Sequence, residues 1–161
     1  MYNYGKGCCI MYKKIIAALI FAISVLILSG CSAKPIENEI IYLAGLAPEE
    51  HWTEKNKHYY FADNYDDFKA LLGKKIFLYE EDLQRINNQD FFEEKMMVFV
   101  RVDSSQGIES VDVTTHLKGR TLQIKIVVNT DFTMAFDAEA LAIILDKTKI
   151  RRIKLNVFAV L

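Results

Sequence analysis

Leu122, Ile124, Ile126 and Val128 alternate with Thr121, Gln123, Lys125 and Asn129. Side chains of a strand point alternately to opposite faces, so this run predicts a strand with one face in a core and one in water. The same period recurs on both sides. Met96, Val98, Val100 and Val102 alternate with Met97, Phe99, Arg101 and Asp103, and Val111, Val113, Thr115 and Leu117 alternate with Asp112, Thr114 and His116. Lys118-Gly119-Arg120 separates two of these runs and reads as a hairpin turn. Leu141–Leu145 and Ile153–Leu161, joined by the polar segment 146–152, bring the C-terminal strands to five. The turns between them are short, which predicts a mainly antiparallel sheet.

The preceding stretch is of another kind. Ile40–Leu46 and Tyr59-Tyr60-Phe61 read as one or two further strands, with a turn at Ala47–Glu50 and a short helical segment around His51–Lys55 between them. Asn64-Tyr65-Asp66-Asp67 opens a helix, since Asn and Asp accept hydrogen bonds from first-turn amides; Phe68, Leu71 and Leu72 follow at helical spacing and Gly73 is its C-terminal cap. A second helix is expected over Glu80–Ile86, with Asn87–Asp90 interrupting it. The expected class is α+β, mainly antiparallel β, with two short helices, in a single domain over 40–161.

Residues 11–31 read MYKKIIAALIFAISVLILSGC. Lys13 and Lys14 precede an apolar run of 14 residues, Ile15–Leu28, broken only by Ser24. A permanent span needs about 20 apolar residues, so this run fits the apolar region of an export signal, a signal helix that is later removed. Leu28-Ser29-Gly30-Cys31 then resembles the lipobox of bacterial lipoprotein precursors: an aliphatic residue, two small ones and a cysteine. Small residues let a peptidase reach the Gly30–Cys31 bond, and the Cys31 thiol takes the diacylglyceryl group. Two or three acyl chains, at about 0.8 kcal/mol per buried CH₂, make release from a bilayer very slow. The reading is therefore a signal peptide over 1–30, with Met11 as the alternative start, and a polar tether over 31–39. The domain lies on the extracytoplasmic face of the cell membrane.

Lys6, Lys13 and Lys14 are three of the chain's 20 Lys and Arg, and no acidic residue precedes Cys31, so 17 cations face 21 carboxylates after it. That mild acidity excludes a nucleic-acid binder, which needs a concentrated basic surface. No cofactor motif is present. His51 and His58 lack the i, i+4 spacing of helical zinc ligands, and His116 lies on a strand. Asp63–Asp67 (DNYDD) lacks the position-six glycine and closing glutamate of a calcium loop. Helix capping accounts for these carboxylates, and no metal site is expected. Ser104-Ser105-Gln106-Gly107 has no nucleophile-elbow pattern. Two local concentrations remain. Trp52, Tyr59, Tyr60 and Tyr65, with Phe61, either line a groove for peptide or glycan or cap the core. Lys147, Lys149, Arg151, Arg152 and Lys154 either form a solvated face or meet anionic lipid headgroups or wall polymers.

Several stretches together resemble the C-terminal domain of the protease complex subunit PrcB family: Asn64–Phe68 before a short helix, Asp90–Lys95 running into MMVFVRV, the hairpin at Lys118-Gly119-Arg120, and LDKTKI before IKLNV. Members carry a Gly-Gly-Tyr turn where this chain has Ser104-Ser105-Gln106-Gly107-Ile108, so no role of that turn carries over. The resemblance implies a non-enzymatic module that associates with a surface or exported protein, accessory to a protease, and it implies no active-site residue. The expectation is a lipid-anchored interaction or accessory module. The alternative is a surface enzyme or glycan- or peptide-binding protein that uses the aromatic cluster between Trp52 and Tyr65.

Overall fold

A computed structural model describes residues 33–47, 59–131, 133 and 137–160. The signal segment, the lipobox residues Leu28, Ser29, Gly30 and Cys31, and the helical segment expected around His51–Lys55 lie outside the described residues.

The described chain is α+β and mainly β. Its strands are β1 (Lys34–Pro35), β2 (Asn38–Tyr42), β3 (Gly45–Leu46), β4 (Tyr59–Ala62), β5 (Ile76–Phe77), β6 (Lys95–Ser104), β7 (Ile108–Lys118), β8 (Thr121–Thr130), β9 (Asp137–Asp146) and β10 (Arg152–Val160). Its short helices are α1 (Tyr65–Leu71), α2 (Glu80–Ile86) and α3 (Gln89–Glu94). One four-stranded sheet has the order β1-β7-β8-β10, a second the order β2-β9-β6-β4, and β3 pairs with β5.

Packing explains the sequence patterns. Leu122, Ile124, Ile126 and Val128 of β8 share a core with Met96, Val98 and Val100 of β6 and Leu141, Ile143 and Leu145 of β9, so the two large sheets face each other. The next residues along the same strands, Met97, Phe99, Ala142 and Ile144, turn to the other side of the second sheet and pack with Phe68, Ile86 and Phe92 of the three helices. The domain thus has three layers, with the β2-β9-β6-β4 sheet in the middle. Each fully buried Leu, Ile, Phe or Met side chain contributes about 1.5–3 kcal/mol over its exposed state. Within the helical layer the Phe68 and Phe92 ring centroids are 5.0 Å apart and those of Phe91 and Phe92 5.2 Å, the separation that favours aromatic pairs.

Local chemistry sets the element ends. The Asn64 side chain accepts from the Asp67 amide at 2.9 Å and begins α1. Just past the end of α1, Gly73 has φ +72°, a left-handed conformation that glycine adopts without strain. Gly119 has φ +61° and no non-glycine residue described has positive φ. A glycine of positive φ at the first of two turn residues is the signature of a type II′ hairpin, whose twist matches that of the flanking strands.

Four expectations are corrected. Asn88 does not merely interrupt a helix: its side chain accepts from the Phe91 amide at 2.7 Å and starts a third one, α3. The apolar stretch 40–46 is two strands in different sheets, parted at Leu43–Ala44. The segment read as a polar tether over 31–39 is strand at Lys34–Pro35 and again from Asn38. Thr115 holds that crossing from one sheet to the other. Its backbone carbonyl accepts from the Ile36 amide (3.0 Å), its hydroxyl donates to the Ile36 carbonyl (2.6 Å) and accepts from Asn38 Nδ2 (3.1 Å), and it is only 2% exposed. Finally, β10 runs parallel to β8, with Arg152 opposite Thr121 and Val160 opposite Asn129. A parallel pair needs a crossover, and β9, a strand of the facing sheet, supplies it. The remaining pairs of the large sheets are antiparallel, as expected.

Candidate functional site

The aromatic cluster is divided by the strand that carries most of it. Tyr60 points to the helical core, is 9% exposed and donates its hydroxyl to the Ala47 carbonyl at 3.1 Å. Tyr65 packs there too, its ring centroid 6.3 Å from that of Phe68, and donates to Asn87 Oδ1 at 3.0 Å. Tyr59 and Phe61 face the other way and pack against the core between the sheets. Trp52 lies outside the described residues. Alternation along β4 thus sends neighbouring aromatics to opposite faces, and no single groove collects Tyr59, Tyr60 and Tyr65. Tyr59 and Phe61 do line a depression of about 420 Å³ with Ile150, Arg151, Arg152 and Ile153.

A second depression, of about 250 Å³, lies against the helices and is lined by Tyr65, Phe92, Asn64, Glu93 and Lys147 among others. Lys147 there donates from Nζ to the Phe92 carbonyl at 2.8 Å, which ties the β9–β10 connection to α3. A third, of about 210 Å³, is polar and includes Glu37, Lys95 and Asp146. In it Asp146 accepts from Lys95 Nζ at 2.6 Å, and that hydrogen bond raises the amine above its ordinary pKa. Near it Arg85 is paired with Glu39 and reaches Asp82 at 3.4 Å; the Glu39 hydrogen bond holds the guanidinium above its usual value. Exposed pairs of this kind are worth about 0–1 kcal/mol each.

The described histidine and the strand carboxylates nearest it in sequence are spread over both large sheets. His116 and Asp112 are on β7 and Asp103 on β6, in the other large sheet. Asp112 accepts from Asn129 Nδ2 at 3.0 Å and Asp103 from Arg101 Nε at 2.8 Å. Among the described residues no three His, Cys, Asp or Glu side chains are grouped as metal ligands, and no helix is long and apolar enough to cross a membrane.

One carboxylate anchors a loop junction that the sequence does not reveal. Asp131 accepts from the Thr133 amide at 2.9 Å and from the Thr133 hydroxyl, while its own amide donates to the Gly107 carbonyl at 3.0 Å. The Thr133 hydroxyl first, then the amides of Thr133 and Gly107, hold this carboxyl below its ordinary range. A Cβ at Gly107 would come within 2.7 Å of Asp131 Cγ, so the residue must be small. The junction is a structural tie between the β6–β7 and β8–β9 connections.

No family model, curated protein or solved structure matches the chain.

Proposed function

We propose that this chain is the precursor of a membrane-anchored extracytoplasmic lipoprotein whose domain is a non-catalytic interaction or accessory module. The observation that carries the reading is Leu28-Ser29-Gly30-Cys31 closing a lysine-led apolar run of 14 residues. Charge, run length and box are independent features, and each is required by the same chemistry of export, acylation and cleavage.

Support for an interaction module comes from where apolar area is left in water. Val157, Phe158 and Val160 are 45–50% exposed on β10, the outermost strand of its sheet. Exposed apolar groups on an edge strand suit protein association better than solvation. The resemblance to the protease complex subunit PrcB C-terminal family points the same way. Lys147 of the second depression is bound to a backbone carbonyl, and in the third Lys95 pairs with Asp146 and Glu39 with Arg85, which suits holding a fold rather than turning over a substrate.

The test is metabolic labelling with a fatty-acid analogue in a bacterium expressing the chain, followed by affinity capture of the anchored domain from membranes. Label should enter the wild type and vanish in Cys31→Ala, and one stoichiometric protein should co-purify reproducibly. Label that survives Cys31→Ala would refute lipid attachment. Hydrolysis of peptide or glycan by the purified domain would refute the non-catalytic role.

A further inference from the structure

The cations after Cys31 are not spread evenly over the domain. Lys34, the stretch 113–130 and the stretch 147–161 hold nine of the 17 and none of the 21 carboxylates. These segments are the start of β1, most of β7, all of β8 and β10 and the approach to β10, so they belong almost entirely to the β1-β7-β8-β10 sheet. The helices on the far layer carry the opposite sign. Eight carboxylates, including Glu80, Glu81 and Asp82 in the first turn of α2, face only Lys69 and Arg85. The domain is therefore a charge dipole, with its positive pole on one outer layer.

Topology sharpens that pole to one end of the sheet. β7 ends at Lys118 opposite Thr121, where β8 begins. β10 begins there too, with Arg152 opposite Thr121 and the Arg151 amide donating to the Arg120 carbonyl at 2.9 Å. Lys34 opens β1 opposite Leu117, next to the same hairpin. Adjacent strands are about 4.8 Å apart, so Lys34, Lys118, Arg120, Arg151 and Arg152 line a sheet end some 15 Å wide, and Lys149 lies in the connection that reaches it. All six are exposed, and none is in an ion pair among the described residues. The sequence cluster at 147–154 is only part of this surface, because Lys34, Lys118 and Arg120 come from remote positions.

Lys34 follows Cys31 by three residues. Three residues reach at most about 10 Å, close to the distance over which charges act in physiological salt. We infer that this sheet end is the membrane-facing surface of the domain and binds anionic phospholipid headgroups beside the anchor. The inference rests on the lipoprotein reading for the position of Cys31. Attraction of the positive pole and repulsion of the acidic helical layer act together to set one orientation on the bilayer.

The full-chain protein, purified from membranes and reconstituted in vesicles of phosphatidylcholine alone or mixed equally with phosphatidylglycerol, tests this through lysine acetylation by a water-soluble reagent, read by mass spectrometry. Lys34, Lys118 and Lys149 should react several-fold more slowly on the anionic vesicles, and high salt should abolish the difference. Lys69 and Lys74 should react equally on both. In the variant Lys118→Gln/Arg120→Gln/Arg151→Gln/Arg152→Gln, whose sites are all exposed, Lys34 and Lys149 should lose their protection. Equal rates on the two vesicles, or slowing that appears only when an anionic wall polymer is added, would overturn the inference. The mass of the N-terminal peptide from the same sample judges lipid attachment separately: protected lysines beside an unmodified Cys31 would uphold the surface and refute the lipoprotein reading.

Discussion

The outer sheet, β1-β7-β8-β10, meets water on one face, whereas the middle sheet, β2-β9-β6-β4, meets protein on both. In β8 only every second residue is fully buried, while Met96 to Val100 in β6 and Leu141 to Leu145 in β9 are buried without interruption. Alternation is thus a property of a sheet with one wet face, and a continuous apolar run is what a covered sheet requires. The sheets also differ in how they are joined. β7 and β8 pair through a two-residue turn, but every pair in the middle sheet joins strands remote in sequence, such as Lys95 with Asp146 and Asn38 with Leu145.

Adjacent substitutions give the hardest test of this contrast. Ile143→Glu and Ile144→Glu point to opposite faces of β9, and each should cost about 4 kcal/mol or more, because each buries an unpaired charge. In β8 only one of a neighbouring pair should do so: Ile124→Glu unfolds the domain, while Gln123→Glu changes stability by no more than about 0.5 kcal/mol. Urea unfolding of the four variants decides it. Tolerance of Ile144→Glu would show that the middle sheet has a wet face after all.

A smaller effect tests the hairpin join of the outer sheet. Gly119→Ala forces a side chain into a positive-φ position and should lose about 1–2 kcal/mol, whereas Gly45→Ala, whose Cβ would meet Phe77 at an ordinary 3.7 Å, should stay within about 0.5 kcal/mol. Thermal unfolding that moves equally in the two variants would deny the hairpin its role.

The smallest effect lies where the connections of the two sheets meet. The Asp131 carboxyl is held below its ordinary range. Its contribution is therefore present above the usual carboxylate pKa and is lost as pH falls through the lowered value. The protection factors of the Gly107 and Thr133 amides should fall in acid with little change in global stability, and Asp131→Asn should remove that loss of protection. Protection factors at Gly107 and Thr133 that stay constant in acid in the wild type would refute the tie.

The same contrast explains what could be read from the residues alone. The five C-terminal strands, the hairpin at Gly119 and the helices α1 and α2 are legible because each depends on near neighbours: alternation, a turn glycine, an asparagine or a run of carboxylates at a helix start. The parallel placement of β10 is not, since it arises when the chain leaves the outer sheet at Thr130 and returns at Arg152, and a polar connection looks the same whether it turns back or crosses over. The pairing of β1 was hidden because Lys34-Pro35 has no strand signature of its own and depends on Thr115, about 80 positions away. For Tyr60 and Tyr65 the sequence leaves a groove and a core cap both open; their burial and their hydroxyl bonds within the helical layer fit the core cap. The basic sheet end escaped notice for a related reason: half of its cations are separated in sequence and meet only through strand register.

The clamp at Thr115 has a mechanical meaning. Tension applied to the chain ahead of Lys34 is borne first by the two-residue β1 and the Ile36–Thr115 hydrogen bonds, before it reaches β2 and the buried middle layer. Those few bonds act as a fuse, so a tug on the N-terminal end would peel a short edge and leave the load-resisting core intact.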